Sequence, residues 1–359
     1  MRITLLGDIN SSHTKKWISS YLERGIEVQC ISINPSETVF EHANLNVVSL
    51  GVVKSKSKSQ STLYKWSYLL KINNVRKALA SFHPDHIHAH FASSYGLLAM
   101  LSLKPYYISL WGSDILNFPN KNFLFKVLLG RILKQSKKVF STSHFMAEKC
   151  FDLYKIKPIV IPFGIDIDQF LFRQKANVNE SPIIIGTVKA LERTYGIDIL
   201  IRSFALAIKE CDIPLKLIII GDGSLISEYK NLSKELYIEE HIEFKGRITH
   251  EMVPKALSTF DLFANLSRQE SFGVSVLEAS AVGLPVIVSD IAGLKEVYVE
   301  QETGICADIK DINDIKQKIL YLAKDEALRK SMGINGRNFV ERNFDWNACV
   351  DKQLSYYSH

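Results

Sequence analysis

The chain has little cysteine and no long apolar run. Its 359 residues include five cysteines, Cys30, Cys150, Cys211, Cys306 and Cys349. They are scattered, odd in number and never spaced C-x-x-C, which argues against a disulfide frame or a cysteine-based zinc site and predicts reduced, mostly buried thiols. No apolar stretch approaches the ~18 residues that a membrane span needs. The longest, such as Leu217-Ile218-Ile219-Ile220, have the length of a strand. Met1-Arg2 leads straight into a strand-like run, so no cleaved leader is expected and the reading is a cytoplasmic protein. Arginine is scarce beside lysine and no nucleic-acid motif is present, so no nucleic-acid partner is expected.

What is present suits a soluble globular enzyme. At 47% hydrophobic and 23% charged residues, the chain can fill two cores of ordinary size. Charge is divided unevenly. Residues 1–170 carry 21 Lys+Arg against 11 Asp+Glu, and residues 171–359 carry 23 against 27. A basic first half points to an anionic partner, and a membrane surface or lipid phosphate fits it better than nucleic acid. The stretch Asn122–Lys138 places apolar residues at helical spacing among Lys126, Arg131, Lys134, Lys137 and Lys138. That is the pattern of an interfacial helix on anionic lipid, and equally of a core helix with a basic outer face. The Lys54-Ser55-Lys56-Ser57-Lys58 loop adds to the same charge.

Strand signals alternate with helical ones along the whole chain, the mark of α/β domains with parallel sheets. Two such runs predict two Rossmann-like domains, residues 1–168 and 169–343, with a polar stretch from Lys175 to Pro182 near their boundary. In open parallel sheets, ligands bind beyond the C-terminal strand ends.

Between Glu270 and Glu278 the chain reads E-S-F-G-V-S-V-L-E. Leu262 to Asn265 reads as a buried strand, Leu266 to Glu270 as a loop, and Val274 to Val282 as a helix stopped by Gly283 and Pro285. Glu270 then precedes a helix that carries Glu278 about one turn in. Amides at a helix start donate to phosphate, and carboxylates accept strong bonds from hydroxyls. The pattern therefore fits a sugar attached to a diphosphate. The alternative is an ordinary βαβ crossover with two solvated acids.

This segment resembles the E-x7-E signature of retaining glycosyltransferases of family 4, which have the GT-B fold. The likeness extends to Gly7-Asp8-Ile9-Asn10, Ile161-Pro162-Phe163-Gly164, Ile220-Gly221-Asp222-Gly223 and Phe244-Lys245-Gly246, and so spans nearly the whole chain. It implies two facing domains, with the donor held in the cleft between them by the second. The last helix, within 344–359, would cross back to the first. It also implies a nucleotide-sugar donor, UDP- or GDP-linked, with no cofactor and no metal. The acceptor implied is lipid-linked or a glycan, in bacterial lipopolysaccharide, capsule or exopolysaccharide synthesis.

Residue by residue, the resemblance makes Glu270 the holder of donor-sugar hydroxyls and Glu278 the holder of the ribose. Phe272, Gly273 and Val274 offer amides, and Gly7, Gly186 and Gly221 line the donor. Lys189 and Arg193 are the diphosphate clamp, although Tyr195 stands where relatives carry a second lysine. Glu270, Lys189 and Arg193 make up the catalytic set. Acceptor contacts fall to His13, His90 and Asp114. His88 and His90 share one side of a strand, so one of them is as readily a buried, hydrogen-bonded histidine. Many relatives carry a histidine close to the Trp111 position, and this chain does not. Asp114 is alternatively a helix cap, and Asp166-Ile167-Asp168 reads as structural. Two alternatives belong to the same fold, a nucleotide-sugar 2-epimerase, against which the E-x7-E context argues, and a non-catalytic nucleotide-sugar-binding subunit, against which the retained Glu270 and Glu278 speak.

Overall fold

The computed structural model describes residues 1–37, 40–52, 64–172 and 182–358. The Lys54–Lys58 loop and all of the Lys175–Pro182 stretch except Pro182 lie outside the described residues. The chain divides into two compact units, Met1–Pro162 with Val350–His359, and Phe163–Cys349.

The first unit is a parallel sheet of seven strands: β1 (Arg2–Leu6), β2 (Glu27–Ser32), β3 (Leu45–Ser49), β4 (His86–His90), β5 (Tyr107–Leu110), β6 (Lys138–Ser141) and β7 (Ile159–Val160). Their order is β3-β2-β1-β4-β5-β6-β7. The helices are α1 (Ser12–Glu23), α2 (Ile72–Phe82), α3 (Ser94–Leu101), a single turn α4 (Ser113–Leu116), α5 (Phe123–Gln135) and α6 (His144–Tyr154). Strands such as β2 and β5 are buried along nearly their whole length, as expected of a sheet covered on both faces. Leu6, Ile87, Ile108, Leu129 and Leu133 meet in its core, each contributing about 1.5–3 kcal/mol through lost water contact.

The second unit repeats the architecture with six parallel strands: β8 (Ile183–Val188), β9 (Leu215–Ile220), β10 (Ile242–Gly246), β11 (Leu262–Asn265), β12 (Val286–Ser289) and β13 (Gly304–Ala307). They run in the order β10-β9-β8-β11-β12-β13. Its helices are α7 (Ile197–Glu210), α8 (Ile226–Glu235), the short α9 (Val253–Leu257), α10 (Val274–Ala281), α11 (Ile312–Lys324) and α12 (Glu326–Asn343). Sequence order reverses between β8 and β11, where Leu262 lies beside Ile185 and Phe263 beside Gly186. A crevice at such a reversal is where open α/β sheets bind ligands.

Two helices that the sequence reading did not anticipate, α11 and α12, close this unit. Gly333 and Gly336 lie inside α12, where glycine weakens a helix. The reason is packing: a β-carbon on Gly333 would sit 2.1 Å from the Gly283 carbonyl, and one on Gly336 would sit 3.3 Å from the Ser280 side chain. Both residues let α12 lie directly on α10 and the turn behind it.

The last helix, α13 (Trp346–Ser355), begins in the second unit and ends in the first. In the first unit, its tail joins a buried polar cluster. Gln353 Nε2 donates to Tyr21 Oη at 2.6 Å and to Tyr357 Oη at 3.0 Å. Tyr357 Oη also meets His88 Nδ1, and His88 Nε2 lies 2.8 Å from Ser109 Oγ.

Burial pushes the two fully buried histidines of β4 down, His88 well below its ordinary value and His90 to about 3, with the charge of His13 adding to the shift at His90. Each is neutral when folded and protonates near 6.5 when unfolded. Their contribution is therefore intact above pH 6.5 and is lost as the pH falls toward 3. From pH 7 to pH 5, His90 alone should cost about 2 kcal/mol of stability. Thermal unfolding at the two pH values should show the drop, and His90→Phe should reduce it; equal midpoints for the wild type at pH 7 and pH 5 would contradict the assignment.

Candidate functional site in the second unit

Lys189 is the first residue past β8, and its amide donates to the Ile220 carbonyl at 3.0 Å. Gly221, at φ 142°, makes this possible: a β-carbon there would lie 1.8 Å from the Lys189 carbonyl. Glu270 lies five residues past β11. Because β8 and β11 are neighbours, the two side chains converge. Lys189 Nζ is 2.6 Å from Glu270 Oε2, and each side chain is only 12% exposed. Ser267 Oγ lies 3.3 Å from the same Oε2 and 2.6 Å from Asn265 Oδ1. The strand end, the serine, the carboxylate and the ammonium thus form one chain of contacts. The Tyr195 ring stands 5.2 Å from Lys189 Nζ, a cation–π distance.

Side-chain contacts of two kinds help to hold the loop between Lys189 and α7. Glu192 accepts from the Ser224 amide at 2.7 Å and from its hydroxyl at 2.5 Å. Arg268 grips Asp198 with both guanidinium nitrogens, at 2.8 and 2.7 Å, and also donates to the Arg193 carbonyl at 2.7 Å. Burial raises the Asp198 carboxyl, and the hydrogen bonds and charge of Arg268 more than cancel this, leaving it below the usual range. Arg193 itself is exposed at the loop tip.

Glu278 lies on α10, 7% exposed. Its Oε1 is 2.9 Å from His250 Nε2, and the His250 ring meets Phe170 edge to face at 6.0 Å. Both acids of the E-x7-E pair are therefore held by a basic side chain, Glu270 by Lys189 and Glu278 by His250.

Of the expected donor residues, Gly186 and the Val274 amide take other parts. Gly186 makes room for the core: a β-carbon there would fall 1.9 Å from the Phe260 ring. The Phe272 side chain is buried and packs toward Phe163 and Phe344. The Val274 amide donates to the Phe272 carbonyl at 3.0 Å and turns into its own loop. Gly273 lets Leu294 approach, since a β-carbon would meet Leu294 Cδ2 at 2.5 Å.

In the first unit, Gly7 allows α1 to approach, with Thr14 Cγ2 lying 3.2 Å from where a β-carbon would be. His13 is half-buried and edge-on to Trp111 at 5.9 Å. His90 is only 1% exposed and lies 4.5 Å from Trp111, and neither ring nitrogen has a hydrogen-bond partner among the described residues. It forms the wall behind Trp111, not a surface for an acceptor. Asp114 is likewise corrected. It is fully buried, and its two oxygens accept from the amides of Ala92, Trp111, Gly112 and Ile115. Burial still pushes its carboxyl up despite those donors. It organises the β5 turn, as a cap does. His88 is the buried, hydrogen-bonded histidine of the pair. Asp166 Oδ1 accepts from the Asp168 amide at 3.2 Å and caps a turn. Among the described residues, no group of three His, Cys, Asp or Glu is placed to hold a metal.

With this geometry in view, the comparisons are consistent. Residues 2–143 match the family model described as glycosyl transferase 4-like, and residues 168–339 match glycosyl transferases group 1. An uncharacterized glycosyltransferase of Methanocaldococcus jannaschii is 32% identical over 79% of this chain and 78% of its own. N-acetyl-alpha-D-glucosaminyl L-malate synthase of Bacillus anthracis is 26% identical over 76% of this chain and 74% of its own. Anabaena HepE, solved with UDP and glucose, superposes with a TM-score of 0.81 at 16% identity, covering 100% of this chain and 99% of that one. The chain belongs to the family 4 glycosyltransferases and has their two-domain GT-B fold.

The sequence reading passed over His250, Arg268, Asn265 and Ser267. Only the proximity of Ser267 to Glu270 in the chain carried a signal; the other partners are remote or ordinary in type. The Arg268 fork is partly buried and bidentate, the stronger kind of ion pair. Arg268→Ala should lower the second unit's unfolding free energy by about 1–2 kcal/mol after allowance for its partial exposure. It should also speed amide exchange over residues 193–196. Exchange there at the wild-type rate would show that the fork does not hold the loop.

Proposed function

We propose that the chain moves a sugar from a nucleotide-sugar donor to a lipid-linked or glycan acceptor, retaining the configuration at the anomeric carbon. The observation that carries this is the convergence, at the sheet reversal, of Lys189 with Glu270 and the placing of Glu278 on the helix that follows. Relatives support a nucleotide-sugar donor: HepE was solved with UDP and glucose, and a similar Mycobacterium tuberculosis mannosyltransferase is GDP-mannose-dependent. A UDP- or GDP-sugar is the donor on this reading.

Glu270 accepts hydrogen bonds from the donor-sugar hydroxyls, and Glu278, steadied by His250, accepts from the ribose. Lys189 and Arg193 stabilise the diphosphate as the bond from the anomeric carbon to its oxygen breaks and that oxygen takes the electron pair. The acceptor oxygen attacks the same face, and its proton passes to the departing phosphate oxygen. These charge-stabilising groups are side chains, so the transfer is proposed to need no metal. The first test is nucleotide release from UDP-, GDP-, ADP- and TDP-sugars in excess EDTA, with and without lipid-linked acceptor extract. One donor should support acceptor-dependent release with retained anomeric configuration, lost on Glu278→Ala. Release that needs Mg²⁺ or Mn²⁺, or an inverted linkage, would refute the corresponding part of the mechanism. Conversion of a nucleotide sugar without acceptor would favour the epimerase.

The acceptor side of the proposal is a carrier lipid in bacterial surface-polysaccharide assembly, reached from the cytoplasmic face of the membrane. No helix among the described residues is long and apolar enough to cross a membrane. The support comes from α5. Phe123 is 76% exposed and Leu124 74%, with Val127 also exposed. At 100° per residue these three share an arc of about 100° with Arg131 and Lys134, opposite buried Leu129, Ile132 and Leu133. Residues 119–138 contain no Asp or Glu, and apolar side chains set among cations suit an anionic lipid surface. The protein should sediment with anionic but not neutral vesicles, and Phe123→Ser with Leu124→Ser should weaken this several-fold while leaving donor binding intact. Equal sedimentation of the variant would exclude α5 as the contact.

A further inference from the structure

Lys189 and Glu270 are paired. The contact is 2.6 Å long and nearly closed to solvent, and the same carboxylate oxygen lies near Ser267 Oγ. In the same loop, Tyr195 presents a neutral ring to the ammonium and Arg193 is exposed at the tip. A diphosphate reaching this place must share the Lys189 ammonium with a carboxylate. Two anions on one ammonium repel each other strongly where water is scarce. A partly buried charge that loses its partner is costly unless other donors replace it.

We propose that Glu270 discriminates between the sugar-bearing donor and the spent nucleotide by competing for Lys189. This rests on the nucleotide-sugar reading above. A donor brings hydroxyls that donate to Glu270 as its diphosphate takes Lys189, so both halves of the pair find new partners. A nucleoside diphosphate brings one more negative charge and lacks the hydroxyls of the transferred sugar. It draws Lys189 away and leaves Glu270 facing phosphate. After transfer, the lysine returns to the glutamate and the product is displaced. The carboxylate thus serves release of product as well as binding of sugar, and removing its charge should strengthen product binding.

The test is calorimetric titration of UDP and GDP into the full chain carrying Glu270→Gln, Glu270→Ala, Lys189→Ala or Lys189→Ala with Glu270→Gln, beside the wild type. Thermal melts identify any variant that fails to fold, and the two Glu270 variants stand in for each other. Both should bind one nucleoside diphosphate about tenfold more tightly than the wild type, a gain of about 1.4 kcal/mol, although they transfer sugar more slowly. Lys189→Ala should bind it more weakly, and Glu270→Gln should add no gain in that background, which a general structural effect would not reproduce. Affinity unchanged or weakened in folded Glu270 variants, with the wild type binding and Lys189→Ala weakened, overturns the competition and leaves the donor reading standing. Binding of neither nucleotide by any of the proteins removes the donor reading and this proposal together.

Discussion

An ammonium and a carboxylate 81 residues apart in the chain meet at 2.6 Å, and the rest of the candidate site is arranged around that pair. Its cause lies in the order of strands in the second sheet. Because β11 lies beside β8, the residues just past both strand ends face one another. Each neighbouring feature keeps the two ends in register. Gly221 lets the Lys189 backbone settle against the β9 turn, Asn265 and Ser267 fix the path to Glu270, and Arg268 binds the far side of the β8 loop. Were β8 and β11 apart, Lys189 and Glu270 would be unrelated surface charges.

Buried polar groups show the same economy in both units. Asp114 is fully buried because backbone amides supply all its hydrogen bonds, and a carboxylate satisfied in this way organises a turn better than it binds a ligand. Gln353, Tyr21, Tyr357 and His88 satisfy one another and so tether the end of α13 to the first sheet. Truncating any one of them would leave its partners buried without a full set of bonds. His90 differs, since both ring nitrogens lack a partner among the described residues. It stays neutral through burial, and Trp111 covers it.

The glycines show how one residue type takes separate meanings. Gly186, inside β8, and Gly221, just past β9, are both expected from the sequence to line the donor. Gly186 instead yields space to Phe260, and only Gly221 serves the loop that carries Lys189. Gly333 and Gly336 are poor helix formers, yet lie within an eighteen-residue helix. Their missing β-carbons allow contact with α10, and that contact offsets their poor helix propensity.

The sequence by itself determined the alternation of strand and helix, most strand limits in the second unit, the helix at Val274 and the family signature. These depend on local periodicity, turn residues and the spacing of two acids, all of which lie within a few residues of one another. The tertiary structure alone decided which partners those residues meet: His250 for Glu278, Lys189 for Glu270, Arg268 for the β8 loop and Phe260 for Gly186. Such pairings come from strand order and side-chain packing across tens of residues. Local pattern carries no information about them, because the same residue types at the same spacing would suit a solvated surface equally well.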